Sequence, residues 1–233
     1  MGSVLKAQEP LTWKSGEKLT YEIHWGILVA AEATFSGEKI KEGFSFRLDL
    51  KSRGMVETTF PIRSVFSSRT DAKIMRSLAF SEDRKEGEDR EKNTISRDYR
   101  KKEATYEDLL KGESRVLPLG DDSVQDMISM LFCIRRHPWE KEPVWNFVLQ
   151  DRLKTKYGKA SFVRKERIPD TAGVLRETFL IEAQELDKEG KPKNNGWLKI
   201  WMTADADKLP LAARIKFKYG SFSIRLKETV QGH

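Results

Sequence analysis

Three side chains that could carry out nucleophilic or acid–base chemistry lie in one short stretch, DDSVQDMISMLFCIRRHPW, residues 121–139. Cys133 is a thiol that needs a neighbouring base to act as a nucleophile, and Asp126 and His137 are the nearest candidates. However, Cys133 lies between two large apolar residues, where a thiol behaves as a small hydrophobic side chain. We therefore interpret Cys133 as a buried structural residue rather than as a nucleophile.

The other side chains that could carry chemistry form no recognisable site. The three histidines are far apart in the chain, which argues against a metal centre. The acidic pairs Glu82-Asp83 and Glu88-Asp89 lie in a charge-dense segment, and we interpret them as solvated rather than as a glycosidase pair. Phosphate-binding glycine loops and the Gly-x-Ser-x-Gly elbow are absent. The sequence thus favours a non-enzymatic protein without a cofactor or metal. A hydrolase that uses Asp126, His137 or the acidic segment is a distant alternative.

The net charge of +7 is concentrated in the last third of the chain. Residues 82–103 contain equal numbers of acidic and basic side chains, whereas 151–168 and 208–227 are strongly basic. Such a surface could meet the phosphates of lipid head-groups, an acidic polysaccharide or nucleic acid. The alternative is that lysines and arginines line the wet face of a sheet. We favour the alternative because the basic residues follow strand spacing, and we expect no nucleic-acid partner.

Most of the chain alternates apolar and polar side chains with a period of two, which is typical of strands with one buried face. In 214–219 apolar residues alternate with basic ones, and the pattern changes phase after Gly220, which indicates a hairpin. Residues 18–25 alternate in the same way. Further strands are predicted at 27–36, 44–52, 62–70, 74–81, 92–99, 102–107, 144–150, 153–164, 174–185 and 196–203. The sequence predicts a mainly β protein, either a long curved antiparallel up-and-down sheet or a partly open barrel.

One segment has the period of a helix instead. Its apolar residues form a single stripe along one side of the helix. They are Val124, Met127, Ile128, Leu131 and Ile134. Ser123, followed three residues later by Asp126, resembles a capping box, and Pro138 ends the helix. The sequence predicts one central helix over about 123–137, packed on the concave face of the sheet or plugging it.

The domain organisation is predicted to be simple. We expect residues 1–16 to form an N-terminal tail, in which the opening Met-Gly-Ser resembles a cloning scar that replaces a natural leader. Residues 17–230 are predicted to form a single β-rich domain. The alternative is two halves, 17–120 and 140–230, joined by the helix.

Aromatic and basic residues supply the candidate ligand-binding set. Trp197 and Trp201 share a strand face with Lys199 between them, which could stack sugar rings or take an acyl chain. Tryptophan in a β protein more often packs in the core or at its rim. A curved sheet that does not close leaves an apolar trough that could hold one hydrophobic ligand. The candidates are Trp25, Trp197, Trp201, Lys154, Lys156, Arg214, Lys216 and Lys218.

A second group of polar residues is interpreted as structural. Arg63, Arg69 and Asp71 lie on strands beside apolar residues, and Asp126 and Arg135 lie near the two ends of the helix. A charge that faces inward must be paired because its desolvation is expensive. We therefore expect Arg–Asp ion pairs between the helix and the sheet.

Four segments resemble a known family. They are EKLTYEIHWGILVAAEATF near the start, KSRGMVETTFPIRSVFSSRTD in the following strands, DSVQDMISMLFCIRRHPW as the central helix and WLKIWMTADADKLPLAARIKFKYGSFSIRLKE at the end. Their order resembles the bacterial exported family known as domain of unknown function 3108, from about Glu17 to Glu228. The departures are the charged segment 82–103 and Ala31-Glu32, where a glycine is expected before the acid. The resemblance implies an exported, envelope-located, mostly β protein with no established activity and no catalytic residues.

Two functions of different class are consistent with these features. The favoured one is a non-enzymatic periplasmic protein, monomeric, whose curved sheet binds an amphipathic ligand such as a lipid, a lipoprotein acyl chain or an anionic glycan. The alternative is a structural or assembly module that docks another envelope protein through its sheet edge or convex face.

Overall fold

The structure, a computed structural model, describes residues 13–73, 75–193, 196–217 and 220–232, with the backbone alone at Phe217. Two short helices, α1 (Gly54–Thr59) and α2 (Met127–Arg136), accompany fifteen strands in these residues. The strands are β1 (Glu17–Trp25), β2 (Leu28–Ile40), β3 (Gly43–Ser52), β4 (Ile62–Asp71), β5 (Ser77–Glu86), β6 (Asp89–Asp98), β7 (Glu103–Asp108), β8 (Glu113–Pro118), β9 (Val124–Gln125), β10 (Val144–Asp151), β11 (Lys154–Pro169), β12 (Leu175–Leu186), β13 (Gly196–Thr203), β14 (Pro210–Phe217) and β15 (Gly220–Val230).

All fifteen strands belong to one sheet, and the first of them, β1, lies in its middle. From β1 the strands proceed outward to β8 at one edge; the chain then crosses to β9 at the other edge and returns through β10–β15 to pair with β1. Neighbouring strands are antiparallel except β9 and β10, which run parallel over two residues. Within the described residues no backbone ladder joins β8 to β9, so the sheet is not closed into a barrel. The predicted fold class, a long antiparallel up-and-down sheet, is confirmed.

The sheet curls around α2, which lies on its concave side. The helix contacts β3 and β4 from one part of the sheet and β9 and β10 from the other. Ile128 and Phe132 join a buried cluster formed mainly by β1–β6, whereas Ile134 joins a second cluster on β11–β13. The ring of Phe132 stacks on that of Phe46 with 3.8 Å between centroids. The helix therefore fills the space between two groups of strands, as predicted, while a division into halves 17–120 and 140–230 stays a prediction.

The beginning of α2 differs from the prediction. Asp126, not Ser123, is the N-cap, and its carboxylate accepts from the backbone N–H groups of Ile128 and Ser129 at 2.9 Å each. Val124 belongs to β9, and Met127 is 41% exposed rather than part of a buried stripe. The sequence pattern misled because β9 and the helix are consecutive, so residues of a strand and of a helix were combined in one apparent period.

Arg135 anchors the other end of the helix. Its guanidinium is buried and pairs with Glu17 at the start of β1, and it also donates to the carbonyl oxygen of Asp207. The prediction of an ion pair between helix and sheet was right in kind, but the partner is a glutamate rather than an aspartate. Because both charges are largely removed from solvent, loss of either one would leave the other uncompensated.

Besides β9, two elements were not predicted. Helix α1 has six residues and buries none of them, so it has no apolar period to detect. Strand β8 lies at a sheet edge with most of its residues exposed, which removes the alternation that marks a half-buried strand.

The charge-dense segment 82–103 forms the β5–β6 hairpin around Gly87, whose φ of 60° and contact with the Phe60 ring both require a glycine.

Candidate ligand groove

Two distant parts of the sheet meet through side chains instead of a backbone ladder. Arg152, in the turn between β10 and β11, donates to Glu82 at 2.9 Å and also pairs with Glu91. Arg97 on β6 donates to Gln150 on β10 at 2.8 Å. These bonds connect strands that are far apart in the order of the sheet, and they leave a groove between the two parts.

The groove has a volume of about 840 Å³. Its lining combines apolar and charged side chains. They are Phe66, Phe80, Glu82, Arg84, Glu86, Tyr106, Met127, Leu149, Gln150, Asp151, Arg152, Leu153 and Lys154. The volume is within the range of about 300–1,000 Å³ that small-molecule sites usually occupy.

The apolar part of the groove is formed by strands on one side and by the helix start and β10 on the other. Phe66 and Phe80 are buried and stack with 6.4 Å between ring centroids. Met127 is exposed because it directly follows the N-cap and points away from both core clusters, toward the groove. Leu149 and Leu153 complete the apolar lining. These side chains offer a surface that suits a hydrocarbon chain.

Most of the charged side chains that line the groove form ion pairs with each other or with neighbouring residues. Arg84 pairs with Glu91 at 2.8 Å, and the turn residue Arg152 pairs with the buried Glu82. Lys154 is exposed at the groove and has no ion-pair partner among the described residues. The neighbouring carboxylate of Asp151, across the hairpin, is paired with Lys156 at 2.6 Å. Lys154 can therefore pair with an anionic group of a ligand.

A buried polar network lies where the helix start meets the strands that form the groove. The second carboxylate oxygen of Asp126 accepts from the hydroxyls of Ser68 at 2.6 Å and Ser77 at 2.5 Å. Arg97 donates to Ser77 at 2.7 Å, and its burial lowers the pKa of the guanidinium. The network fixes the helix start relative to β4, β5 and β6, and hence the position of Met127 beside Phe66 and Phe80.

Cys133 and His137, which were considered for nucleophilic chemistry, make contacts typical of structural residues. Burial raises the pKa of the Cys133 thiol to about 12, and its sulfur contacts the carbonyl oxygen of Met75 and the amide oxygen of Gln125. His137 caps the helix end, and its Nε2 lies 2.7 Å from the carbonyl oxygen of Glu142. Among the described residues no group of His, Cys, Asp and Glu is arranged to hold a metal ion.

Four of the predicted ligand residues lie together on the face of β13 and β14 opposite the core. Trp197 is paired with Lys216 across the two strands, and Lys199 with Arg214. Trp201 follows on the same face, because Ile200 and Met202 point into the core. The Trp201 indole donates to the carboxylate of Glu166 and, as the main cause, lowers the pKa of that group. A smaller cavity of about 290 Å³ adjoins Trp201 and Arg214.

The remaining predicted ligand residues lie elsewhere. Trp25 is exposed at the end of β1, where it pairs with Phe222, and so lies apart from Trp197 and Trp201. Lys154 lines the groove, whereas Lys156 is paired with Asp151 at 2.6 Å. Lys218 lies outside the described residues. The structure therefore does not bring the predicted set together as one site.

The predicted structural residues also divide into two groups. Asp126 and Arg135 are buried and hold the helix. Asp71 pairs with Arg76 at 2.7 Å in the turn after β4. Arg63 and Arg69 are exposed, which corrects the expectation that they face inward: Arg63 pairs with Glu57 of α1, and Arg69 lies on the outer face of β4.

Sequence reasoning included Lys154 but missed the apolar residues that line the groove. They are Phe66, Phe80, Tyr106, Met127 and Leu149. Their alternation signals only that they face inward, and nothing in the local sequence separates a groove residue from a core residue. The non-adjacent strands that they occupy meet only when the sheet curls.

The fold of the chain is similar to that of other solved structures. A crystal structure of a β-barrel-like protein of domain of unknown function DUF1849 from Brucella abortus is similar, with a TM-score of 0.65, 10% identity and coverage of 94% of this chain and 98% of that one. A crystal structure from Parabacteroides distasonis, described as a "putative lipoprotein", covers the same shares at a TM-score of 0.41 and 9% identity. The first likeness shows a shared fold. No curated protein matches the chain.

Residues 20–227 match a family described as "Protein of unknown function (DUF3108)". This range extends from the middle of β1 to near the end of β15 and includes both helices. No helix among the described residues has the length and apolar character needed to cross a membrane. The chain belongs to the DUF3108 family, as its segment order predicts.

Proposed function

We propose that the protein is a non-enzymatic binding protein that holds one amphipathic molecule in the groove. The hydrocarbon part contacts Phe66, Phe80, Met127 and Leu149, and an anionic group pairs with Lys154. The observation that carries the proposal is a groove of about 840 Å³ with aromatic and aliphatic walls and one unpaired cation. An acyl chain fits this lining better than a glycan does, because the buried acid of the groove, Glu82, is already bonded to Asn93 and Arg152.

We place this activity outside the cytoplasm, in the cell envelope. The family resemblance supports an exported protein. Fractionation of the cells that naturally make the protein tests the location. Recovery with periplasmic or envelope markers is expected, and recovery with a cytoplasmic marker would contradict it.

Binding of a fluorescent fatty acid to the purified protein tests the groove directly. Met127→Trp places a large ring in the groove and is expected to weaken binding at least about tenfold. Lys154→Glu reverses the unpaired charge and is expected to weaken binding about fivefold, since an exposed ion pair contributes up to roughly 1 kcal/mol. Val174→Trp and Lys188→Glu are matched controls, because both residues are exposed and do not line the groove.

Two results would overturn the proposal. One is a wild-type protein that binds no fatty acid, and the other is wild-type affinity in both groove variants. Native mass spectrometry of protein purified from its own host gives an independent measurement. A co-purifying lipid that is lost in Met127→Trp supports the proposal, whereas a co-purifying glycan would replace the acyl chain as the ligand.

A second function is favoured by one observation. Strand β8 forms one edge of the sheet, and five of its six residues are exposed, so its outer edge could accept a strand from another envelope protein. Replacing Val116 with proline removes a backbone donor at this edge. If an assembly role is correct, this variant fails to capture a partner that the wild-type protein captures after cross-linking in cells.

A further inference from the structure

Strand direction places several connections together at one end of the sheet. Because β1–β8 alternate in direction, the turns after β1, β3, β5 and β7 lie at the same end. β15 is antiparallel to β1, and tracing the antiparallel pairs back to β10 places the β10–β11 turn at that end too. Two contacts support this arrangement: Gly87 lies against Phe60, and Arg152 reaches Glu91 near the start of β6.

Four of the connections described at this end expose large apolar side chains. Ile27, in the β1–β2 turn, is 96% exposed, and Met55 on α1 is 70% exposed. The full set, which we call the apolar rim, is Trp25, Ile27, Leu28, Met55, Phe60, Leu109, Leu110 and Leu153. Several of these residues are grouped within one turn, as Ile27 and Leu28 are beside Trp25 and as Leu109 is beside Leu110, and grouped exposed apolar residues commonly mark an interaction site.

The opposite end of the sheet differs in composition. Its turns carry mostly polar residues, such as Lys41-Glu42, Arg100-Lys101-Lys102 and Asp121-Asp122. Among the described residues, the large apolar side chains exposed at this end are Val174 and Leu175 beside the β11–β12 turn, Val144 at the start of β10 and Val230 at the end of β15. Substitutions at the opposite end can therefore serve as controls for substitutions in the apolar rim.

The shape and chemistry of the apolar rim fit a lipid surface. Its side chains lie on separate turns and do not line a concave surface. A fluid leaflet can accept side chains that insert at separate points, whereas a rigid protein partner needs a continuous complementary surface. Tryptophan is favoured at membrane–water interfaces, as Trp25 would be. Lys154 directly follows Leu153 and is exposed. Lys111 directly follows Leu110 and pairs with Asp108 at 3.6 Å, but its side chain is 69% exposed. Cations therefore lie beside the apolar tips, where they can meet anionic head-groups.

The apolar rim is also continuous with the groove. Leu153 belongs to both, and Lys154 and Glu86 line the groove at this same end of the sheet. We propose that the apolar rim docks on the surface of a phospholipid leaflet with anionic head-groups, which places the groove mouth against the leaflet from which an acyl chain could enter. The docking itself needs only the rim, whereas transfer into the groove rests on the proposed function above.

Flotation with vesicles of phosphatidylcholine and a minority of phosphatidylglycerol tests the docking. The wild-type protein is expected to float with the vesicles, and the double variant Ile27→Asp/Met55→Asp is expected to lose at least about tenfold in vesicle affinity. The matched control Val174→Asp/Leu175→Asp carries the same charges at the opposite end and should float like the wild type. All altered positions are exposed, and far-UV circular dichroism checks that each variant is folded.

The outcomes separate the two proposals. Docking is overturned if the wild type does not float, if the rim variant floats as well as the wild type, or if the control loses as much affinity as the rim variant. It is also overturned if the rim variant changes only the sedimentation coefficient, since the rim would then join two copies of the chain. Without vesicles, the rim variant should bind the fluorescent fatty acid as the wild type does. In the flotation experiment, Met127→Trp should float as the wild type does. Loss of fatty-acid binding therefore does not affect the test of docking, and loss of docking does not affect the test of the groove.

Discussion

Replacing Asp126 with alanine tests how α2 is held against the sheet. The carboxylate of Asp126 is fully buried and accepts four hydrogen bonds: two from the backbone at the helix start and one each from the hydroxyls of Ser68 and Ser77. Alanine removes all four and leaves both hydroxyls without this acceptor. Ser123, which the sequence favours as the cap, is exposed, and among the described residues its hydroxyl bonds to Asp121 and not to the helix start.

The size of the effect follows from these contacts. Loss of an N-cap costs about 1 kcal/mol. A hydrogen bond to a charged group contributes about 1.5–3 kcal/mol, so the two serine hydroxyls add roughly 3–6 kcal/mol if their contributions are independent. Neighbouring contributions are seldom additive, so we expect Asp126→Ala to lower the free energy of unfolding by about 4 kcal/mol. Ser123→Ala should change it by less than about 0.5 kcal/mol.

Urea unfolding, followed by tryptophan fluorescence and far-UV circular dichroism, measures both variants. The midpoint should fall for Asp126→Ala while the slope with urea concentration stays unchanged, because the surface exposed on unfolding is the same. Asp126→Asn is the matched control: it keeps an acceptor for the cap and should recover part of the loss. A cost below about 1 kcal/mol for Asp126→Ala, or an equal cost for Ser123→Ala, would refute the assignment of the cap and of the network.

Three further predictions concern packing, thiol reactivity and acid stability. A Cβ on Gly158 would lie 2.3 Å from the ring of Phe147 on the paired strand. Gly158→Ala should therefore lower the free energy of unfolding in urea by about 1–3 kcal/mol, and Phe147→Leu should restore it. An unchanged free energy of unfolding in the single variant would contradict this packing. Because burial raises the pKa of Cys133 to about 12, iodoacetamide should label the folded protein far more slowly than the urea-unfolded protein at mildly alkaline pH, and equal rates would show an accessible thiolate. Hydrogen bonds from Arg63 and then Ser52 hold the pKa of Glu57 at about 2, below its ordinary 4.5; the stabilisation by this pair is therefore present above pH 4.5 and is lost as the pH falls toward 2. A carboxyl titration by NMR with Glu57→Gln for assignment checks this, and a midpoint near 4.5 would be inconsistent with the pair.

The strands were predictable because their signal is local. Most predicted strands have one buried and one wet face, and alternation along a few residues reports that directly. The prediction failed where burial was not one-sided, as at the edge strand β8, and where two elements followed each other without a break, as at Val124 and Met127. At β8 the pattern is that of an exposed edge strand, and at Val124 and Met127 it combines the residues of a strand with those of a helix.

The groove depends on contacts that no local pattern reports. Glu82 and Arg152 are 70 residues apart, and Arg97 and Gln150 are 53 apart. The tryptophans and lysines suggested from composition were divided among the outer face, the groove and a hairpin tip, because residue type does not specify which way a sheet curls.

The sequence by itself determined the family, the mainly β architecture and a central helix packed on the concave face of the sheet, since these depend on the period of apolar residues and on the order of segments. Only the tertiary structure decided that Asp126 caps the helix, that Arg135 pairs with Glu17, and that Phe66, Phe80 and Met127 face a shared groove. The physical reason is that a strand's alternation specifies which side chains point inward, whereas the curl of the sheet specifies what they meet there.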